Sequence, residues 1–233
     1  PQGLAPQALA AFAERLGRGG LDFVKDDHGL ADQAFAPFAE RVPLCADAMR
    51  RAAAATGHVT RYVPSLSGDF EAMRSQMALV GESGLDTVLI SPLIAGFSTV
   101  QALVRQFPEI AILAHPSLGG VHIAPALLIG RLFPLIGADA VIFPNHGGRF
   151  GYTPEACLAL AQTARAPGHR LRPALPVPAG GMTLSRVPEI LDFYGPDVML
   201  LIGGSLLSAR ERLTEETASF TRTVATHFYR PTS

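Results

Sequence analysis

Short apolar runs alternate with amphipathic segments along the whole chain. The runs are hydrophobic at nearly every position, which is typical of parallel strands that are covered on both faces. They lie at residues 21–25, 61–64, 87–91, 110–114, 140–143, 174–178 and 198–202. The pattern predicts seven strands here, and residues 1–4 have the character of the end of one more strand that precedes them.

Helical periodicity fills the segments between the predicted strands. Apolar residues recur there at positions i, i+3, i+4 and i+7, which places them on one face of a helix. The clearest sets are Leu9, Phe12, Ala13 and Leu16; Val100, Leu103, Val104 and Phe107; and Val187, Ile190, Leu191 and Tyr194. Thr153 before Pro154 is a favourable helix start, whereas Gly57 and Gly84 are favourable helix ends.

The alternation of strands with helices, without a tight hairpin signal, indicates parallel βαβ units. Eight strand positions, each followed by a helix, favour an α/β fold of the (β/α)8 TIM-type barrel class with a truncated first strand. We expect one domain over residues 1–233. A doubly wound open sheet is the alternative.

Composition narrows the class of protein. Hydrophobic residues make up 48% of the chain and charged residues 17%, which is ample for a core and wrong for disorder. A formal net charge of −1 gives no field that would attract nucleic acid or an anionic membrane. There is no run long enough for a membrane span and no signal-peptide pattern, so we expect a cytoplasmic protein. Cys45 and Cys157 are expected to be buried free thiols.

Polar residues and glycines follow five of the predicted strands. In a parallel barrel the carboxyl ends of the strands face the active site. The five segments are residues 25–28, 115–117, 145–149, 180–181 and 203–205. Ordinary turns would also use glycine and aspartate, but five such ends on one predicted rim favour a functional site.

The segment Lys25-Asp26-Asp27 carries the sharpest signal. Alternation along a strand places Lys25 and Asp27 on one side and Asp26 on the other. Carboxylate oxygens are the ligands that Mg²⁺ prefers, and Lys25 would offer oxygens if CO2 converted it to a carbamate. His28 could add an imidazole. The alternative is a Lys–Asp ion pair at the end of the strand.

Three other ends suggest how a substrate is bound. The glycine pairs Gly180-Gly181 and Gly203-Gly204 would let backbone N–H groups approach a phosphate. Arg149, on the glycine-rich loop after residue 144, is a candidate for a mobile contact over the substrate. His115 could be a base or a hydrogen-bond donor.

Residues 19–27, GGLDFVKDD, closely resemble the GGLDFxKDD signature of RuBisCO large chains. The resemblance continues through Gln33, Phe35, Phe38, Arg41 and the Cys45-Ala46 helix, and resumes at residues 179–181 and 203–204. It therefore extends over nearly the whole chain. It implies the C-terminal catalytic barrel of that family, with the family's N-terminal α+β domain expected to be missing from these residues.

The resemblance also implies a set of roles. Lys25 would be carbamylated and would bind Mg²⁺ together with Asp27. The family's third metal ligand occupies the position that His28 has in this chain. Backbone around the two glycine pairs would bind phosphate, and His115 would contact the substrate. Arg149 lies near the position of the family's mobile-loop lysine. The family further implies a homodimer.

Several positions depart from the pattern of the carboxylases. A family glutamate is replaced by His28, an arginine by Pro116, a histidine by Gly119 and a serine by Ala179. Arg149 stands where a lysine should polarise CO2. Because CO2 fixation needs those groups, the resemblance is to the RuBisCO-like, or form IV, proteins.

The sequence thus predicts a Mg-dependent lyase that acts on a phosphorylated oxo-sugar acid through a metal-stabilised enolate, of the decarboxylase or transcarboxylase type. One alternative is an enolase or isomerase on a ketose phosphate like 5-methylthioribulose 1-phosphate. Another is a non-catalytic binding or regulatory member of the family.

Overall fold

Strands and helices alternate through the chain, as the sequence pattern predicts. The structure is a computed structural model that describes residues 3–119, 123–148, 150–166, 168 and 171–229. Its contacts divide the chain into two units, Pro1–Leu118 and Gly119–Ser233. Each unit is built from short parallel strands and the helices that follow them.

The first unit contains four strands and five helices in its described residues. The strands are β1 (Phe23–Lys25), β2 (Arg61–Val63), β3 (Thr87–Ile90) and β4 (Ala111–Ala114); the helices are α1 (Pro6–Arg18), α2 (Phe38–Thr56), α3 (Phe70–Glu82), α4 (Pro92–Ala95) and α5 (Phe97–Gln106). Strand β1 pairs with β2 and β3 pairs with β4, both in parallel, and a parallel bridge from Ser65 to Leu89 joins the two pairs. The carboxyl ends of all four strands therefore lie along one edge.

The apolar faces predicted for α1 and α5 are buried at half of their positions and partly exposed at the others. Leu9 and Ala13 of α1 and Val100 and Leu103 of α5 are each at most 6% exposed. Helix α2 ends at Gly57, whose φ of 73° is a left-handed conformation that glycine adopts without a steric penalty. The helix-end prediction is therefore confirmed at this position.

In its described residues the second unit contains two strands, joined by α-helices and by single turns of other helices. The strands are β5 (Ala140–Pro144) and β6 (Leu175–Ala179); the α-helices are α6 (Pro125–Leu127), α7 (Phe133–Leu135), α8 (Pro154–Arg165), α9 (Val187–Tyr194), α10 (Gly204–Leu207) and α11 (Leu213–Ala225), with a π turn at Leu128–Leu132 and 3-10 turns at Leu184–Arg186 and Arg210–Arg212. Strands β5 and β6 are parallel. Thr153 caps α8 by accepting a hydrogen bond from the Ala156 N–H at 3.2 Å, as predicted.

The strand predicted at residues 198–202 is wrong as a strand: the segment makes only an isolated parallel bridge, between Leu201 and Ala179. Its N–H groups do reach β6, because Met199 donates to the Pro176 carbonyl at 3.1 Å and Leu201 to that of Pro178 at 3.3 Å. Pro176 and Pro178 cannot donate bonds in return, since proline has no N–H. Apolar composition alone could not separate this half-paired segment from a complete strand.

Two compositional predictions can be compared with the structure directly. Cys45 in α2 and Cys157 in α8 are both buried and form no disulfide, as predicted. Among the helices of the described residues, none combines the length and the apolar character that crossing a bilayer requires.

Candidate active site

The strand ends of the first unit bring together the side chains that the sequence singled out there. Lys25 is the last residue of β1, and the Asp26 N–H still donates to the Val63 carbonyl of β2 at 2.9 Å. His115 directly follows β4, and its N–H donates to the Ile90 carbonyl of β3 at 2.8 Å. Both residues therefore leave the sheet at its carboxyl edge, where they were expected.

Asp26 lies on the inner side of the segment, in a network that is closed to solvent. Its carboxylate accepts hydrogen bonds from Arg41 Nε at 3.2 Å, from the Ser65 N–H at 3.0 Å and from the Tyr62 hydroxyl. Burial raises the pKa of Asp26, and the charge of Arg41 together with the bonds from Tyr62 and Ser65 opposes that rise. A buried carboxylate is tolerated here because each oxygen has a donor and the charge has a counterion.

Arg41 is the counterion, and its side chain is 0% exposed. Besides Asp26 it donates to the carbonyl groups of Ala31 at 2.9 Å and Ala36 at 2.8 Å, so that it also fixes the loop after Asp27. Sequence reasoning assigned Arg41 no role. The available signal was its spacing, because it lies on the helix face that also carries Phe38 and Cys45, and a cation in an apolar stripe needs a buried partner.

Lys25 lies on the other side of the strand end and is the only lysine among the 233 residues. Its ammonium donates to the Asp26 main-chain carbonyl at 2.9 Å. Burial lowers the pKa of Lys25, and the charges of Asp27 and Asp26 oppose that effect. Within residues 3–119, this lysine makes no ion pair with either aspartate, so the alternative of a Lys–Asp ion pair is not observed. The predicted separation of Lys25 from Asp26 is confirmed.

Asp27 and His28 begin the loop that follows. One oxygen of Asp27 accepts a hydrogen bond from the Gly29 N–H at 2.8 Å and lies 3.9 Å from His28 Nδ1. The imidazole of His28 is exposed and stacks on that of His115, with ring centroids 4.1 Å apart and planes 9° apart. The stack places the Asp27–His28 corner directly against the end of β4.

His115 is partly buried and carries a neutral ring over the physiological range. Burial first, and then the positive charges of His28 and Lys25, lower the pKa of His115 to about 3. Its Nδ1 lies 2.7 Å from Ser117 Oγ, which in turn accepts a hydrogen bond from Ser91 Oγ at 3.2 Å. Neither serine was assigned a role from the sequence.

The donor set of this cluster fits a hard divalent cation under one condition. Among the described residues, no group of three or more His, Cys, Asp and Glu side chains is arranged to hold a metal ion. Asp27 supplies carboxylate oxygens and His28 an imidazole, so Lys25 would have to complete the set. The lowered pKa of Lys25 favours the neutral amine, which is the form that adds to CO2 and becomes an oxygen-bearing carbamate. With a carbamate at Lys25, the side chains present fit Mg²⁺.

In the second unit, glycine is favoured at the two positions of the predicted pair Gly180-Gly181 for different reasons. Both residues have left-handed φ angles, 87° and 66°. A Cβ at position 181 would lie 3.1 Å from the Gly147 oxygen, whereas one at position 180 would meet nothing within 4 Å. Glycine at 181 is therefore required by the packing of its loop against the loop after β5. Gly180 is exposed, and only its left-handed φ favours glycine there.

Two further features complete the strand ends of this unit. Gly203 and Gly204 are exposed at the start of the four-residue helix α10, and their phosphate role remains a prediction. Asn145 after β5 is 0% exposed and accepts a hydrogen bond from the Tyr194 hydroxyl at 2.7 Å, and its buried Nδ2 has no hydrogen-bond partner among the described residues. Sequence reasoning noted Asn145 only as part of its loop. Arg149 lies outside the described residues, so its predicted role is not addressed.

Sequence comparison places the chain among known proteins. A family model described as the ribulose bisphosphate carboxylase large chain, catalytic domain, matches residues 1–124. Over 97% of its length, the chain is 56% identical to ribulose bisphosphate carboxylase-like protein 1 of Rhodopseudomonas palustris and, over the same share, 57% identical to 5-methylthioribulose-1-phosphate isomerase of Rhodospirillum rubrum. It covers 62% and 60% of these two proteins, and so spans about three fifths of their length.

Structure comparison agrees. The crystal structure of a Rubisco-like protein from Rhodopseudomonas palustris matches 99% of this chain, and 63% of its own length, with a TM-score of 0.92 at 49% identity. The predicted α/β fold of the (β/α)8 barrel class is thereby confirmed. With its GGLDFVKDD strand end and the departures from the carboxylases, the chain belongs to the ribulose bisphosphate carboxylase large-chain family and is one of its RuBisCO-like members.

Proposed function

We propose that this chain is the catalytic part of a RuBisCO-like isomerase that moves a proton between neighbouring carbons of a phosphorylated ketose, of the 5-methylthioribulose 1-phosphate type. The observation that carries the proposal is the cluster on the outer side of the β1 end, where Lys25, with its pKa lowered by burial, lies beside Asp27 and His115. The Rhodospirillum rubrum relative, named as an isomerase of that substrate, supports it.

Lys25, as its carbamate, and Asp27 would hold Mg²⁺, with His28 as a further ligand. A bound Mg²⁺ would supply Lewis-acid stabilisation of the negative charge that develops on the substrate oxygens. The Asp26 network contributes rigidity, because it fixes the backbone from which Lys25 and Asp27 project. We assign phosphate binding to the open backbone at Gly180 and at Gly203-Gly204.

The proton must be taken by a group that is basic near neutral pH. A pKa of about 3 makes His115 a weak base, so its ring suits hydrogen bonding better than proton abstraction. Carbamylated Lys25 is therefore the base that this cluster offers. The proton goes back to the neighbouring carbon, so no co-reactant is consumed.

Decarboxylation, which the sequence alone slightly favoured, becomes the second candidate. Both reactions begin with charge that develops next to a carbonyl group, and they differ in whether a proton or CO2 leaves. The name of the Rhodospirillum rubrum relative favours proton movement. Carboxylation is not proposed, because Pro116, Gly119 and Ala179 replace groups that fixation of CO2 requires.

The test is NMR of 5-methylthioribulose 1-phosphate incubated in D2O with the full-length protein, Mg²⁺ and bicarbonate. We expect a second ketose phosphate as product, with deuterium on the carbon beside its carbonyl group in an amount equal to the product formed. The Lys25→Ala variant should form no product. Stoichiometric release of CO2 from an oxo-acid substrate would favour the lyase instead. A folded protein that neither exchanges a proton nor releases CO2 would contradict both enzymatic candidates and favour a binding role.

A further inference from the structure

We propose that Ser117, supported by Ser91, fixes His115 in the tautomer with its proton on Nε2, so that His115 donates a hydrogen bond to the substrate and is not its base. Ser117 is then a positioning residue. The role of His115 toward the substrate rests on the proposed function, whereas the tautomer itself does not.

The direction of the hydrogen bonds at Nδ1 determines the tautomer. The Ser117 backbone N–H points at His115 Nδ1 over 3.2 Å. A backbone N–H can only donate, so Nδ1 must present its lone pair. A neutral imidazole has one proton, and that proton is then on Nε2.

The serine hydroxyls reinforce the same direction. Ser117 Oγ lies 2.7 Å from Nδ1 and accepts a hydrogen bond from Ser91 Oγ at 3.2 Å. With its acceptor side used by Ser91, the Ser117 hydroxyl directs its own proton to Nδ1. The order is therefore Ser91 to Ser117 to His115, across the carboxyl ends of β3 and β4.

One further contact holds the ring in this orientation. The His28 ring stacks on the His115 ring, with centroids 4.1 Å apart and planes nearly parallel, and this restricts rotation of the His115 ring about its χ2 bond.

The chemical consequence concerns Nε2. No hydrogen bond to His115 Nε2 is found within residues 3–119, so its proton is available to a ligand. Donation from a neutral N–H stabilises negative charge on a substrate oxygen without transferring a proton. Proton removal then falls to the Lys25 side of the cluster, and a histidine with Nε2 already protonated is also unsuitable as a metal ligand through that atom.

The tautomer can be observed without any substrate. We suggest ¹⁵N-histidine labelling of the full-length protein, with the His115 signals identified from their loss in His115→Gln. Two-bond ¹⁵N–¹H correlations distinguish the protonated from the unprotonated ring nitrogen. The expected wild-type result is a protonated Nε2 and an unprotonated Nδ1; a proton on Nδ1 would overturn the proposal, whether or not the protein is an isomerase.

Variants separate positioning from folding. Ser117→Ala removes the hydroxyl but keeps the backbone N–H, so the tautomer with Nε2 protonated should remain the major form while a minor Nδ1-protonated form appears. Because the ring is then held less firmly, kcat should fall about tenfold with little change in KM, and Ser117→Thr should restore both. Ser91→Ala should have a smaller effect in the same direction. The control is Ser98→Ala, an exposed serine of α5, which should change neither. An unaltered tautomer and kcat in folded Ser117→Ala would overturn the role of Ser117.

Discussion

Two neighbouring aspartates at the end of β1 have different surroundings: one belongs to a buried network that supports the fold, and the other lies at the candidate active site. Asp26 faces α2, where it is 6% exposed and accepts hydrogen bonds from three partners. Asp27 faces the opposite side, beside His28 and Lys25, and is partly exposed. The two residues are chemically identical, so their roles are set only by the alternation of the strand. The inner carboxylate fixes the backbone, and the outer one is left to bind a ligand.

The largest effect is expected from removing the counterion on the inner side. Arg41→Met leaves the Asp26 carboxylate buried without its cation and should lower the free energy of unfolding by about 3–5 kcal/mol. Urea denaturation followed by circular dichroism measures the change. The control is Arg51→Met, which removes an exposed ion pair with Glu14 and should lower it by less than about 1 kcal/mol. Equal losses in the two variants would mean that the Asp26 network does not stabilise the fold.

Exchange of each aspartate for asparagine tests the separation itself. Asp26→Asn should lower the free energy of unfolding by about 1–3 kcal/mol, because the Arg41 cation loses its partner. Asp27→Asn should leave stability nearly unchanged and remove Mg²⁺ binding measured by isothermal titration calorimetry in bicarbonate. The comparison fails if Asp27→Asn is the less stable variant, or if only Asp26→Asn loses Mg²⁺.

The separation of the two aspartates could be predicted from the sequence, whereas the network behind Asp26 could not. Alternation with a period of two places Lys25 and Asp27 together without knowledge of any neighbour. The partners of Asp26 come from α2, from β2 and from the second residue after β2, which are distant from Asp26 in sequence, so only the folded chain brings them together. The strand prediction for residues 198–202 failed for a related reason, because the prolines of the neighbouring strand β6 limit how that segment can pair.

The two glycines after β6, Gly180 and Gly181, also differ in how much each is expected to contribute to stability, although the difference is smaller. Gly180→Ala should lower the free energy of unfolding by about 1 kcal/mol, the cost of a left-handed φ alone. Gly181→Ala adds a collision with the Gly147–Gly148 loop and should cost about 1–3 kcal/mol more. Thermal unfolding of both variants measures the difference. If the two variants lose equal stability, the packing explanation for Gly181 is wrong.

The smallest effect concerns the thiol behind the Asp26 network. Burial raises the pKa of Cys45 from about 9 to about 12. Because the folded state then favours the neutral thiol, its contribution to stability is complete below about pH 9 and is lost as the pH rises toward 12. Iodoacetamide should leave Cys45 unmodified in the native protein at about pH 8 and modify it after denaturation, as read by mass spectrometry. Rapid native labelling would show that α2 opens and exposes the inner side.

The most direct test of the outer side is ¹³C NMR of the full-length protein in ¹³C-bicarbonate and Mg²⁺. The account predicts a carbamate carbon resonance that persists in Ser98→Ala and disappears in Lys25→Ala. A folded wild-type protein without that resonance, or a Lys25→Ala variant that retains it, would contradict the assignment of Lys25 as the residue that completes the metal site.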